Sequence, residues 1–299
     1  DWVVRHTDGR AIEQRTLAAG SNTIVIDPPP VSANATATPV PVKVAPATPA
    51  ASEEAAFPVT ESSCEVVSVT PAMGLDPFYT KVCDYNGLRF QSSAAVDDVA
   101  LEQAWLVAAN MFYSRPDVVQ SMIDMGMFIA VMGEEEIRTD IPELAYLADD
   151  TSVDQTAFRL YSKVLEEPRL ALVGEENLLC SATDTNAGEN LLVGRLANLT
   201  RFVLVRDLDP AMNDQLTVIR QSAVANGLWP SITTLADGNN DYWDTGVQTY
   251  FNSAPGALLT GPTDSAINTR AELASYDPQL YALIDSVYQV DDWTPVCPS

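Results

Sequence analysis

Apolar residues recur at helical spacing between Val96 and Tyr113, where Leu101, Ala104, Trp105, Ala108 and Phe112 fall on one face. Asp97 and Asp98 stand where a helix N-terminus favours negative charge, so a helix is predicted there. A shorter helix is expected over Asp117–Met125 behind Pro116, and a long, mostly apolar one over Glu189–Val205. Pro210–Ala225 reads as a helix with proline near its first position, and Asp241–Phe251 as another. Asp277-Pro278 opens a helix running to Tyr288, with Leu280, Leu283, Ile284 and Val287 inward. Strands are expected at Cys64–Val69, at Leu88–Ser92 and over the continuous apolar run Met127–Met132, which ends at Gly133. Long helices with few strands predict an α+β domain over residues 62–299, mostly helical with a small sheet. No internal repeat is visible.

The chain before residue 62 has another character. Trp2–Arg5, Ala11–Leu17 and Thr23–Ile26 read as short strands, with Asp8-Gly9 and Gly20-Ser21-Asn22 as turns between them. Two or three such strands bury no core alone, so residues 1–27 are expected to be a β segment that packs on something else. Residues 28–61 form a Pro/Ala/Thr-rich linker, with eight of the chain's 20 prolines between Pro28 and Pro58. Asn34-Ala35-Thr36 is an N-glycosylation sequon in this stretch, and Thr36, Thr38 and Thr48 beside prolines suit O-glycans.

Composition narrows the functions open to the chain. Its 299 residues are 46% hydrophobic, enough for one sizeable core. With 41 acids against 16 bases the formal charge is −25, which argues against nucleic acid and anionic membranes as partners. No apolar run is long enough to span a bilayer. The sequence opens on Asp1 without a basic and apolar leader, as expected of a mature product whose signal was removed, or of a fragment. Cys64, Cys83, Cys180 and Cys297 fit no metal spacing, and their even number points to two disulfides and secretion. Three pairings are open; Cys64 with Cys83 and Cys180 with Cys297 is the expected one. The only histidine, His6, excludes a site that needs two imidazoles from one chain.

Eight strings then follow one another: LDPFYTK (75–81), SRPD (114–117), IAVMG (129–133), TDIPE (139–143), GEENLLC (174–180), GENLL (188–192), YWDTGVQTYF (242–251) and YDPQLY (276–281). Over residues 73–290 they resemble a family of secreted zinc-metallopeptidase-like domains, related in fold to the catalytic domain of anthrax lethal factor. In that family the helix after Gly-Glu-Asn carries H-E-x-x-H. Positions i and i+4 share a helix face and bring two imidazoles to one metal, while the glutamate takes a proton from metal-bound water. A glutamate from a later helix is the third ligand. The resemblance puts Gly194 and Asn198 at the two histidine positions, Arg195 at the base and Thr245 at the third ligand. Glycine offers no ligand, arginine repels a cation, and asparagine and threonine are poor zinc ligands. The implied domain is a degenerate pseudoenzyme with no metal or cofactor. Arg195 is placed either in the vacated cleft, paired with Glu189 or Asp244, or on an exposed helix flank.

Other constellations carry less. Asn198-Leu199-Thr200 is a second sequon, poorly placed inside a helix. Glu134-Glu135-Glu136 reads as a solvated turn and Glu175-Glu176 as a cap or brace for the next segment. Asp184, Asn186 and Glu189, and likewise Asp237, Asn239 and Asp241, share spacing with calcium loops without the full ligand order. A Ser-His-Asp triad would have to use His6, ahead of the linker. Trp105, Tyr242, Trp243 and Trp293 read as core. Three functions follow in order. The first is a non-catalytic extracellular structural protein that assembles into a filament by donating residues 1–27 to a neighbouring copy, with glycans on the exposed linker. The second is a monomeric pseudopeptidase that binds a peptide or protein in the old cleft. The third is an active secreted hydrolase with a non-standard site.

Overall fold

The computed structural model describes strand residues 2–5 and 11–15 together with residues 57–151, 154–155, 159–164, 169–229, 238–254 and 267–298. The chain divides into two compact units, Asp1–Ser52 and Glu53–Ser299.

In the first unit β1 (Trp2–Arg5) and β2 (Ala11–Arg15) pair antiparallel. Trp2 lies opposite Arg15 and Val3 opposite Gln14, with an irregularity in register between Val4 and Arg5. The expected continuation of the second strand to Leu17 lies outside the described residues. The Asp8-Gly9 turn, the third strand at Thr23–Ile26, His6, Asn34, Thr36, Thr38 and Thr48 lie outside the described residues.

The second unit is α+β, as the hydrophobic pattern predicts. Its sheet comprises β3 (Val67–Ser68), β4 (Lys81–Tyr85), β5 (Leu88–Ser92), β6 (Phe128–Met132), β7 (Leu160–Lys163) and β8 (Leu170–Gly174), in the order β3-β4-β5-β6-β8-β7. β5, β6 and β8 run parallel, while β3, β4 and β5 form an antiparallel meander and β7 is an antiparallel edge. The β4–β5 turn is Asn86-Gly87, both at positive φ, and the Gly87 N–H donates to Asp84 Oδ1 at 2.8 Å. A two-residue turn of that kind matches the twist of the strands it joins. β6 and β8 are buried at every residue, which explains why FIAVM and LALVG are unbroken apolar runs.

Helices α1 (Asp98–Met111), α2 (Pro116–Asp124), α3 (Glu175–Leu178), α4 (Leu191–Val203), α5 (Met212–Ala225), α6 (Asn239–Tyr250), α7 (Arg270–Tyr276) and α8 (Pro278–Tyr288) complete the unit. Side chains alternate between the sheet's two faces. Phe90, Ile129, Val131, Ala171 and Val173 join the large core that the helices build. Phe128, Ala130, Met132, Leu170 and Leu172 join a smaller cluster with Tyr79, Ile141 and Leu144.

Several boundaries move for identifiable reasons. The expected strand Cys64–Val69 shrinks to Val67–Ser68, because only those residues find ladder partners on β4. α4 starts at Leu191 rather than Glu189, since the Asn190 side chain caps it by accepting from the Val193 N–H at 3.2 Å. Its last turn widens into a π-turn over Leu204–Leu208. Pro210 falls before α5, not at its first position. α6 begins at Asn239, two residues before the expected Asp241. The globular unit also reaches back across the expected linker boundary at residue 61. Phe57 packs edge-on against Tyr113 at 5.2 Å, and the buried Asn110 side chain bonds both Val59 N–H and C=O at 2.9 Å.

Candidate functional site

The zinc positions implied by the resemblance lie on α4 and α6, so the contact between these helices is the candidate site. Asn177, buried after β8, sets the start of α4. Its amide donates to Glu189 O at 2.8 Å and Asp184 Oδ2 at 3.0 Å, and its Oδ1 accepts from the Leu191 N–H at 2.9 Å. Glu175 and Glu176, expected to cap or brace the following segment, instead bond back to earlier parts of the chain. Glu175 accepts from the Asp97 and Glu134 N–H groups, both at 2.8 Å. Glu176 takes a two-point contact from Arg159 at 2.7 and 2.8 Å, a buried ion pair that also reaches Gly133 O. Glu134 and Glu135 are exposed, as a solvated turn predicts, whereas Glu136 is half-buried and its carboxylate accepts from the Gly133 N–H at 2.6 Å.

Where α4 meets α6, side chains fill the space. Gly194 is buried against Gln248: a Cβ added at Gly194 would lie 3.0 Å from Gln248 Cδ. The Gln248 amide donates to Glu189 Oε1 at 2.8 Å. Asp244, one turn earlier on α6, faces the other two α4 positions. The Asn198 amide reaches its Oδ2 at 3.4 Å and the Arg195 guanidinium at 3.9 Å, both long contacts. Asp244 Oδ1 and Arg195 Nε are buried without a hydrogen-bond partner among the described residues. Thr245 is half-buried beside them, and its backbone C=O accepts from the Thr249 hydroxyl at 2.8 Å. Of the two placements open for Arg195, the structure shows the one against Asp244.

The electrostatics follow from this packing. Burial pushes the Asp244 carboxyl up to about 7, against the pull of Arg195, the Asn198 amide and Arg201. Burial likewise raises Glu189, with the Gln248 hydrogen bond and Arg195 opposing it. Arg201 is held below the usual arginine range by burial. Trp243 anchors the crossing by donating to Ala197 O at 3.0 Å.

The remaining sequence candidates are placed as follows. The disulfides are Cys64–Cys83 and Cys180–Cys297. Asp184 and Glu189 spend their carboxylates on Asn177, the Asn186 N–H and Gln248. Asn239 bonds Thr217 and Asn213, while Asp237 lies outside the described residues. Asn198 sits in mid-helix with its amide on Asp244, and the buried Thr200 hydroxyl of its sequon donates to Leu196 O at 2.7 Å. Tyr242, Trp243 and Trp105 are core, with Trp293 packed against it. No helix of the described residues is long and apolar enough to cross a membrane. Gln248 is the participant that the sequence reading missed. Its one signal was the four-residue spacing from Asp244, which puts both side chains on the same face of α6. Compared with known protein families, curated proteins and solved structures, the chain matches none.

Proposed function

We propose that this is a non-catalytic extracellular structural protein that assembles by donating its N-terminal β segment to a neighbouring copy. One observation carries the reading. β1 and β2 belong to a two-stranded unit separate from a second unit that holds its own sheet, helices and both disulfides. A two-stranded hairpin is marginal in water by itself and gains stability by joining a larger sheet. One donor and one acceptor per chain make a head-to-tail contact, which propagates as an open filament unless its rotation closes a ring.

Three further features support it. The Gly194, Arg195, Asn198 and Thr245 positions carry none of the side chains that zinc hydrolysis needs, and Gln248, Arg195 and Asp244 occupy the space between the helices. Two disulfides fit an oxidising, extracellular setting. The sequon at Asn34 would place a glycan on the linker, where it would coat the assembly without entering a contact. Deleting residues 1–27 is expected to leave a folded monomer that forms no polymer, measured by sedimentation. Polymers of unchanged size from the truncated protein would overturn the reading.

A further inference from the structure

Helices pack on β4, β5, β7 and β8, whereas both residues of β3 are exposed. The smaller apolar cluster sits over β6 and β8. At the β3 end a groove of about 680 Å³ remains along the sheet edge, its walls including Val67, Met73, Leu75, Val82 and Asp84 together with Trp105 of α1. Val67 and Met73 are apolar yet 39% and 41% exposed, and β3 pairs with β4 alone among the described residues. An edge strand with exposed apolar residues beside it is a template for pairing with another chain.

Charge says which chain. The first fifteen residues hold Arg5, Arg10 and Arg15 against Asp1, Asp8 and Glu13, so they are balanced while the rest of the molecule carries the whole −25. Any two copies therefore repel through most of their surfaces, and the N-terminal segment is the part that approaches without that penalty. The groove presents two acids, Glu65 and Asp84, and one base, Arg89. β1 and β2 also offer backbone edges in the only other sheet of the described residues. The run 28–56 spans on the order of 90 Å if extended, against roughly 45 Å for a domain of this size. A second copy is within its reach.

We infer that the groove beside β3 is the acceptor for the β1–β2 segment of a second copy. The inference rests on the assembly proposed above and names its receiving surface. Backbone bonds to the open side of β3 supply affinity. Covering Val67, Met73 and Leu75 supplies the apolar gain.

The test uses the full chain, a chain lacking residues 1–27, and the full-length double variant Val67→Arg/Met73→Arg. Both substituted side chains are exposed, so the globular unit keeps its core. The full chain is expected to polymerise and each altered chain to sediment as a monomer. Mixed in equal amounts, the two altered chains are expected to form a one-to-one dimer, the intact segment of one seated in the intact groove of the other. A polymer from the double variant, or a mixture that stays monomeric, would overturn the groove assignment. A monomeric full chain, or a polymer from the truncated chain, would instead overturn the assembly itself.

Discussion

Asp244 is pulled in two directions, by burial toward the neutral acid and by Arg195, Asn198 and Arg201 toward the carboxylate. Burial prevails because the nearest contacts, at 3.4 and 3.9 Å, are long and one oxygen has no partner among the described residues. The carboxyl therefore titrates near 7 in the folded chain and at the ordinary 3.8 when unfolded. Between those values the folded chain holds a proton that the unfolded chain releases. Stability consequently falls as pH rises across that window and is level above it. Asp244→Asn keeps the side chain neutral and near its original shape. Relative to the native chain, it is expected to gain stability on the order of 2 kcal/mol at pH 8 and nothing at pH 4, by urea unfolding at the two pH values. Equal or lower stability of the variant at pH 8 would show that Arg195 compensates the charge fully.

The helices pack closely enough for single atoms to matter. α6 and α8 approach at Gly246, where an added Cβ would lie 2.6 Å from Leu280 Cδ2 and 3.0 Å from Ile284 Cδ1. Both partners are fully buried and cannot retreat into solvent. Gly246→Ala gains about 1 kcal/mol of helix propensity and loses up to about 3 to overpacking. The net expectation is a Tm lower by roughly 3–6 °C, measured by calorimetry; an unchanged Tm would mean the two helices separate easily. The same elements show what a sequence makes legible. α1, α2 and α8 announce themselves through apolar spacing and through Asp97, Pro116 and Asp277 at their starts. β5 is bounded as the pattern predicts, and β6 departs by one residue. β4 escaped notice because KVCDY mixes polar and apolar residues, although Asp76-Pro77 before it and Asn86-Gly87 after it are turn signals. α7 is only seven residues long, and its start is marked by the Thr269–Glu272 capping box rather than by periodicity. β8 is a five-residue apolar run whose strand character depends on partners distant in sequence. At the candidate site the arginine–aspartate contact was readable from residue types. Gln248 over Gly194 was not, because it depends on how closely α4 and α6 approach.

For the whole molecule, the two disulfides bound what can move. Cys64–Cys83 ties the segment entering the globular unit to β4, and Cys180–Cys297 ties the C-terminal tail beside α3. Closing a loop across 117 positions of sequence removes unfolded-state entropy worth about 4–5 kcal/mol. The second unit is thus closed and stapled, strongly acidic, and equipped with a groove along one sheet edge. The first unit is charge-balanced and has two strands that need a larger sheet. Together these properties support the proposal that the chain assembles with copies of itself through its N-terminal segment. Electron microscopy of the purified full-length protein tests that account most directly. The account predicts filaments in which a single subunit repeats along the fibre axis, whereas a field of isolated single-chain particles under the same conditions would contradict it.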